Sequence, residues 1–250
     1  MSMGKFRPNL VISDWDETIT VHDTIQNVAQ VPYIANPNLE PKFSHYSKIY
    51  IDNYASYESQ FGPLEKLNDY VRFQKGMRPI EMSSISALEK DLIFKGLKPD
   101  QFREQAIDVV LRPGVIEFIK MCQEEKIPFI ILSVNWTSLI IEQVLKMHGV
   151  EEINIITNEF EFHDGETTGF WLSDQVVRTS EDKLRFVKKL AKGEDKVMYI
   201  GDSLTDLLPI LFVKYPCAIE NTKLNNFLSI MKIDHVTGNW LDFIEKVETK

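Results

Sequence analysis

Four short runs of almost continuous apolar residues stand out along the chain. They lie at residues 9–14, 127–133, 153–157 and 196–201. Runs of this length and character are typical of buried β-strands. Stretches with helical periodicity accompany them, at about 114–125, 137–148, 181–192 and 203–214. Buried strands that alternate with helices indicate an α/β fold, with a parallel sheet covered on both faces.

The segment from about residue 22 to 110 has no buried-strand run and shows the periodicity of several helices. Breaks between these helices are expected near Pro32, Pro37, Pro41, Gly62-Pro63 and Gly76. Because the segment lies between the first and second predicted strands, we expect a helical insertion there. The predicted division is a core of residues 1–21 and 110–250 and a helical cap of residues 22–109.

A second, smaller insertion covers residues 158–171. Apolar and polar residues alternate on both sides of Asp164-Gly165. This pattern predicts a β-hairpin, which would form a small flap beside the core.

Composition excludes some classes of partner. With 44% hydrophobic and 26% charged residues, the chain has the composition of a soluble globular protein. Its net charge of -9 argues against nucleic acid, which requires a basic face. Cys122 and Cys217 have no metal-ligand spacing and indicate a reducing compartment. No apolar run reaches membrane length, so we expect a cytoplasmic protein without a membrane partner; the oligomeric state stays open.

Acidic and polar residues follow the predicted strands. Asp14-Trp-Asp-Glu-Thr18 ends the first strand, Ser133 ends the second, and the fourth runs into Gly201-Asp-Ser-Leu-Thr-Asp206. Lys183 lies early in the helix that precedes the fourth strand. Because ligands bind at the carboxyl ends of strands in open α/β sheets, we expect these groups to converge.

Converging carboxylates favour a hard divalent cation, and magnesium suits a phosphate substrate best. A carboxylate can also attack phosphorus, and a second acid two residues along can protonate the leaving alkoxide. Ser133 and Lys183 would hold phosphate oxygens. Taken singly, each motif is typical of a turn, a strand-end cap or a solvated lysine. Their order and their positions at element ends indicate phosphoryl transfer.

These four segments resemble the motifs of the haloacid dehalogenase-like (HAD) hydrolase superfamily. Leu111-Arg-Pro-Gly-Val115 and Asp164-Gly-Glu-Thr-Thr-Gly169 resemble the phosphoserine-phosphatase branch, whose helical cap lies between the first two motifs. The resemblance implies a Rossmann-like parallel-sheet core with a helical cap inserted after the first strand and a small β-hairpin flap. It implies a magnesium-dependent phosphomonoesterase that acts on a small phosphate ester through an aspartyl-phosphate.

The family pattern also implies residue roles. Asp14 would be the nucleophile, Asp16 the general acid/base, and Lys183 the bridge between nucleophile and phosphate. Magnesium would be held by Asp14, the main-chain carbonyl of Asp16, and Asp202, with Asp206 binding directly or through water. The residues expected on the substrate side are Thr18, which would also buttress its loop, Ser133 and Asn135.

Other functions remain open on the same fold. Dehalogenation, phosphotransferase or mutase chemistry, and a catalytically silent binding protein are the alternatives. Asp16 argues against dehalogenation, because a departing halide needs no proton. A silent protein would be expected to lack one of the motif residues, and all are present.

A narrower resemblance concerns the substrate. Leu132-Ser-Val-Asn-Trp136, Thr157-Asn-Glu-Phe-Glu-Phe162 and Thr168-Gly169 resemble the HAD phosphatase part of plant thiamine monophosphate phosphatases and related fungal proteins. This resemblance implies thiamine monophosphate as a candidate substrate.

Aromatic residues of the predicted cap bear on the same question. Tyr46, Tyr50, Tyr54 and Tyr57 are spaced to share one helical face. They either pack inside the cap or form an aromatic wall for a flat or cationic ring such as thiazolium. On the second interpretation Tyr50 and Tyr54 bind the substrate.

Overall fold

The computed structural model describes residues 4–174, 176–193 and 195–249. The strands are β1 (Leu10–Ser13), β2 (Phe129–Leu132), β3 (Asn154–Ile156), β4 (Phe160–His163), β5 (Glu166–Trp171), β6 (Val197–Gly201), β7 (Tyr215–Ile219) and β8 (Val236–Gly238). The helices are α1 (Ile25–Ala35), α2 (Phe43–Phe61), α3 (Leu67–Lys75), α4 (Arg78–Lys90), α5 (Pro99–Arg103), α6 (Val115–Glu124), α7 (Ser138–Met147), α8 (Ser180–Ala191), α9 (Leu207–Phe212), α10 (Lys223–Ile230) and α11 (Trp240–Lys246). Short 3₁₀ turns cover Glu104–Asp108 and Leu204–Asp206.

A parallel sheet forms the centre of the molecule, with the strand order β3-β2-β1-β6-β7-β8. Successive residues of β1 enter different apolar clusters: Val11 packs on one face of the sheet and Ile12 on the other. Both faces are therefore buried, as the near-continuous apolar runs predict. The α/β fold is confirmed, and β1 lies between β2 and β6, so that the carboxyl ends of these three strands are adjacent.

Helices α1 to α5 lie between β1 and β2 in the chain, as predicted for the insertion. The expected break at Pro32 is wrong, because Pro32 lies inside α1. The ring removes one helical hydrogen bond, but Pro32 is buried together with Val28, Ala29 and Val31, and this packing offsets the loss. The division into a core of residues 1–21 and 110–250 and a cap of residues 22–109 stays a prediction.

The hairpin flap is present as β4 and β5. Asp164 and Gly165 form its turn with φ angles of 51° and 83°, the positive values that a tight hairpin of this sequence requires. Thr167 of β5 accepts a hydrogen bond from the Leu97 backbone N–H at 2.9 Å. The flap therefore packs against the segment that joins α4 to α5.

The carboxyl-terminal third of the chain differs from the predicted pattern. The helix expected over 203–214 is a 3₁₀ turn followed by the short α9. Strands β7 and β8 complete the sheet on the far side of β6 and were not predicted. Among the described residues, no helix combines the length and the hydropathy needed to span a bilayer.

Candidate active site

The ends of the three adjacent strands bring the predicted motifs together. Asp14 follows β1, and its backbone N–H donates to the carbonyl of Ile200 on β6 at 3.0 Å. Asp202 follows β6 directly, and Ser133 follows β2, where its N–H donates to the Ile156 carbonyl at 3.0 Å. The sheet hydrogen bonds therefore extend one residue past the strands and fix these side chains at one edge.

Lys183 is fully buried at 0% exposure, which excludes the alternative of a solvated surface charge. Its Nζ lies 2.7 Å from Asp14 Oδ2 and 2.7 Å from Asp206 Oδ1. Burial alone would lower the pKa of Lys183, but the two carboxylates raise it above its ordinary value. The lysine is therefore a buried, charged bridge between the first and the fourth motif.

Three carboxylates share this lysine. Oxygens of Asp14, Asp202 and Asp206 lie within 4.8 Å of one another. Burial, followed by repulsion from Asp206, raises the pKa of Asp14 and raises that of Asp202 to about 7. One ammonium group does not neutralise three buried carboxylates, so full ionisation of the cluster requires further positive charge.

The carboxylate of Asp206 is held by four donors. Its Oδ1 accepts from Lys183 and from Tyr199 Oη, each at 2.7 Å. Its Oδ2 accepts from the backbone N–H groups of Asp202 and Ser203, at 3.2 and 3.3 Å. A Cβ atom on Gly201 would lie 2.5 Å from the Asp206 side chain, so only glycine permits this approach. Asp206 thus orients the lysine and the fourth-motif loop.

Asp16 is held on the other side of the site. Its Oδ1 accepts from the backbone N–H and the hydroxyl of Thr24, at 2.7 and 2.6 Å. Its Oδ2 accepts from Asn135 Nδ2 at 3.1 Å. Burial raises the pKa of Asp16, and these three hydrogen bonds oppose the shift. The hydrogen bonds give the carboxyl group a fixed orientation.

Two residues expected on the substrate side contact the acidic residues, and their contact with substrate stays a prediction. Thr18 is fully buried, and its Oγ1 donates to Asp202 Oδ1 at 2.9 Å. Asn135 is also fully buried and orients Asp16. Both are placed to position carboxylates. Trp15, which lies between the two aspartates of the first motif, is 0% exposed and packs in the core.

Sequence reasoning did not single out Thr24 or Tyr199. Thr24 is the main partner of Asp16 and lies eight positions further along the chain, immediately before α1. Tyr199 lies within the buried β6, where the apolar pattern conceals its hydroxyl. A threonine before a predicted helix is a capping signal, so Thr24 could have been found in this way.

A cavity of about 430 Å³ adjoins the site under the inserted helices. Val134 and Thr205, chain neighbours of Ser133 and Asp206, lie on its lining and connect it to the strand ends. We call this space the cap cavity; the other residues used below that line it are Asp23, Phe43, Tyr46, Tyr50, Glu81, Trp136 and Arg178.

The structure separates the predicted tyrosines. Tyr50 lies on the cap cavity and donates through Oη to Glu81 Oε1 at 3.1 Å. Tyr54, also expected to bind substrate, is not among the residues that line it. Its ring packs against Phe73 with a centroid distance of 5.8 Å. Tyr57 likewise stacks near Phe73, at 4.7 Å, so these two rings follow the interpretation as internal packing.

The chain matches one known family over most of its length. A family model described as haloacid dehalogenase-like hydrolase matches residues 11–208. Cold tolerance protein 1 of Saccharomyces cerevisiae is 30% identical over 240 residues, which cover 81% of this chain and 75% of that protein. The mitochondrial bifunctional TH2 protein of Arabidopsis thaliana is 24% identical over 245 residues, which cover 81% of this chain but 38% of that protein. The resemblance to plant and fungal proteins is confirmed.

Solved structures agree on the fold. A phosphoserine phosphatase as a phospho-aspartyl intermediate analogue matches with a TM-score of 0.61 and 15% identity, covering 97% of this chain and 100% of that chain. A substrate-bound phosphoserine phosphatase matches with a TM-score of 0.62 and 15% identity, covering 98% and 100%. Cytosolic 5'-nucleotidase IIIB bound to cytidine gives a TM-score of 0.59 and 15% identity, covering 96% and 80%. At these identities the matches establish the shared fold.

Proposed function

Because the chain belongs to the haloacid dehalogenase-like hydrolases, we propose that it is a magnesium-dependent phosphomonoesterase that acts through an aspartyl-phosphate on Asp14. The observation that carries the proposal is the buried bridge of Lys183 between Asp14 and Asp206. A lysine in this position lowers the repulsion between an attacking carboxylate and a phosphate dianion. Turnover of a generic aryl phosphate by the purified protein is the first test, and its absence would favour a silent binding protein.

In the proposed reaction, each step of phosphoryl transfer has a residue of this chain that would carry it out. Asp14 attacks phosphorus with one carboxylate oxygen, and the bond to the leaving alkoxide breaks in line. Asp16, held by Thr24 and Asn135, gives the alkoxide its proton and then takes one from the water that cleaves the acyl phosphate. Ser133, whose Oγ accepts the Asn135 N–H at 3.0 Å, donates its own proton to a phosphate oxygen.

The donor set fits magnesium. Asp14, Asp202 and the main-chain carbonyl of Asp16 would hold the ion, because hard oxygen ligands and uncompensated negative charge are what Mg²⁺ requires. Thr18 would orient Asp202 for this role. Asp206, already held by four donors, would act by positioning or through water. When bound, the ion supplies positive charge to phosphate oxygens in the transition state.

Removal of the divalent cation is expected to abolish activity. Protein treated with chelator and then freed of it should regain turnover with Mg²⁺, and excess Ca²⁺ should inhibit it, since calcium prefers more ligands in a looser geometry. Phosphate release measured against each cation is the assay, with thermal denaturation as the control for folding. Full activity after thorough metal removal would contradict the assignment.

We propose thiamine monophosphate as the first substrate to compare with other small phosphate esters. Support comes from the similarity to the plant protein and from the aromatic lining of the cap cavity.

The two free, buried cysteines support the proposed cytoplasmic location.

Tyr50 and Tyr54 give a matched test of leaving-group selection. Tyr50→Ala should lower kcat/KM for thiamine monophosphate about two- to thirtyfold, the range of one cation–π contact. Tyr54→Ala, which removes a neighbouring ring outside the cavity lining, should leave the preference unchanged. The preference is measured against phosphoserine and an unselective aryl phosphate.

Loss of turnover for every substrate in Tyr50→Ala would show a general structural role. A higher kcat/KM for phosphoserine or a sugar phosphate in the unmodified protein would reject thiamine monophosphate and leave the phosphatase proposal standing.

A further inference from the structure

Arg178 is a buried charged residue that the proposed chemistry does not use. It follows the hairpin flap, is 6% exposed and lies on the cap cavity. Within residues 4–174, 176–193 and 195–249, one buried side-chain nitrogen or oxygen has no hydrogen-bond partner, and this atom is Nη1 of Arg178. An unpaired buried donor is unfavourable, so this atom indicates an acceptor that arrives with a ligand.

The guanidinium of Arg178 packs against an aromatic ring. It lies over the ring of Trp171, with 5.1 Å from Cζ to the ring centroid. Burial lowers the pKa of Arg178 to about 10, against the opposing effect of nearby acids, so the group stays charged at neutral pH. A charged donor beside a cavity is suited to form a hydrogen bond with one acceptor atom of a ligand.

Glu81 lies on the same cavity. Its Oε1 accepts from Tyr50, and burial raises its pKa to about 7. Among the described residues, Nη1 of Arg178 has no hydrogen-bond partner, whereas Glu81 accepts from Tyr50. The two groups therefore face the cavity as a separate donor and acceptor.

The rest of the lining restricts the ligand class. Phe43, Tyr46, Tyr50 and Trp136 contribute aromatic surface, and 430 Å³ is within the range of pockets that enclose drug-sized molecules. Asp23 adds a second carboxyl group. The aromatic lining favours a leaving group that contains a flat ring, and Arg178 and Glu81 offer that ring one donor and one acceptor.

We infer that Arg178 and Glu81 form an anchoring pair for a leaving group that contains an amino-substituted nitrogen heteroaromatic ring, such as an aminopyrimidine. Nη1 of Arg178 donates to a ring nitrogen, and Glu81 accepts from the adjacent amino group. The inference rests on the proposed phosphatase function and deepens it, because it assigns selectivity to residues outside the four motifs.

The test compares two phosphate esters, each with a six-membered aromatic ring on a methylene group. Aminopyrimidinylmethyl phosphate offers the acceptor and donor, and benzyl phosphate offers neither. The unmodified protein should prefer the first by about tenfold or more in kcat/KM. Arg178→Met and Glu81→Met should each reduce this preference to about threefold or less. Arg103→Met, which removes a guanidinium from an ion pair with Asp100, is the control.

Binding provides a second readout that does not depend on turnover. In an Asp14→Asn background, Kd for each ester is measured by calorimetry, with and without Arg178→Met. Arg178→Lys keeps the charge but not the planar fork, and it replaces Arg178→Met if that variant does not fold. Tighter binding of the aminopyrimidine ester that depends on Arg178 supports the anchoring pair even if the protein turns over no ester.

Three results would overturn the inference. Equal kcat/KM and equal Kd for the two esters would show that the cavity does not recognise the ring nitrogen and the amino group. A parallel loss for both esters in Arg178→Met would show a structural role. An Arg178-dependent preference for phosphoserine over both would assign the arginine to a ligand carboxylate. In each case turnover of benzyl phosphate would leave the phosphatase proposal intact.

Discussion

Replacement of Asp14 by asparagine should lower kcat by at least about a thousandfold while the protein stays folded. Asparagine keeps the size of the side chain but removes the nucleophilic oxygen. It also removes one of the two carboxylates that hold Lys183 at 2.7 Å. Steady-state kinetics with an aryl phosphate gives kcat, and circular dichroism with thermal denaturation tests the fold.

Asp52→Asn is the matched control for this variant. Asp52 is exposed on α2 and pairs with Lys48 four residues earlier, so the substitution is chemically identical but distant from the strand ends. Its kinetics should equal those of the unmodified protein. If Asp14→Asn kept more than about a tenth of the rate, water would attack phosphorus directly and the covalent mechanism would be wrong.

Lys183→Met should have a comparably large effect on turnover and should also reduce stability. Its fully buried side chain is the one cation that contacts both Asp14 and Asp206 among the described residues. Without it, neighbouring carboxylates repel both each other and an incoming phosphate. Removal of one partner of a buried ion pair typically costs about 3–5 kcal/mol of unfolding free energy. The full burial of Lys183 is the reason why the variant should lose stability as well as turnover.

The measurement separates the two effects. Activity is normalised to the folded fraction at low temperature, and the denaturation midpoint is compared with that of Lys189→Met. Lys189 is exposed on the same helix α8, so its loss should change neither quantity. Unmodified kinetics in folded Lys183→Met would show that the third motif has been assigned to the wrong lysine.

The elements that build the site were predictable because their signals are local. β1, β2 and β6 are continuous apolar runs that end in polar residues, and their parallel pairing brings Asp14, Ser133 and Asp202 to one edge. The turn of the flap was equally predictable from the sequence, since Asp164-Gly165 adopts the positive φ angles that this dipeptide favours.

Strands β7 and β8 lacked such signals. Pro216 lies inside β7 without a backbone N–H to donate, and a proline within a run argues against a strand. β8 has three residues, too few to show a period. Both strands are defined by their pairing with neighbouring strands of the sheet, which is tertiary information.

The cap cavity was the least predictable part. Tyr50 and Tyr54 lie four residues apart and are spaced to share one face of α2. Of the two, Tyr50 lines the cap cavity, whereas Tyr54 packs against Phe73 of α3. Arg178 comes from the loop after the flap and reaches the cavity through the fold. Sequence patterns describe the face of a helix, whereas the partner of that face depends on the packing of distant segments.

The stereochemical course at phosphorus distinguishes an aspartyl-phosphate on Asp14 from direct attack of water on the ester. A phosphate ester made chiral with oxygen isotopes is hydrolysed in isotopically labelled water, and the configuration of the released phosphate is determined. Attack by Asp14 followed by attack of water is a sequence of two in-line displacements, each of which inverts phosphorus. The covalent mechanism therefore predicts net retention. Net inversion would show a single displacement by water and would contradict the aspartyl-phosphate on Asp14.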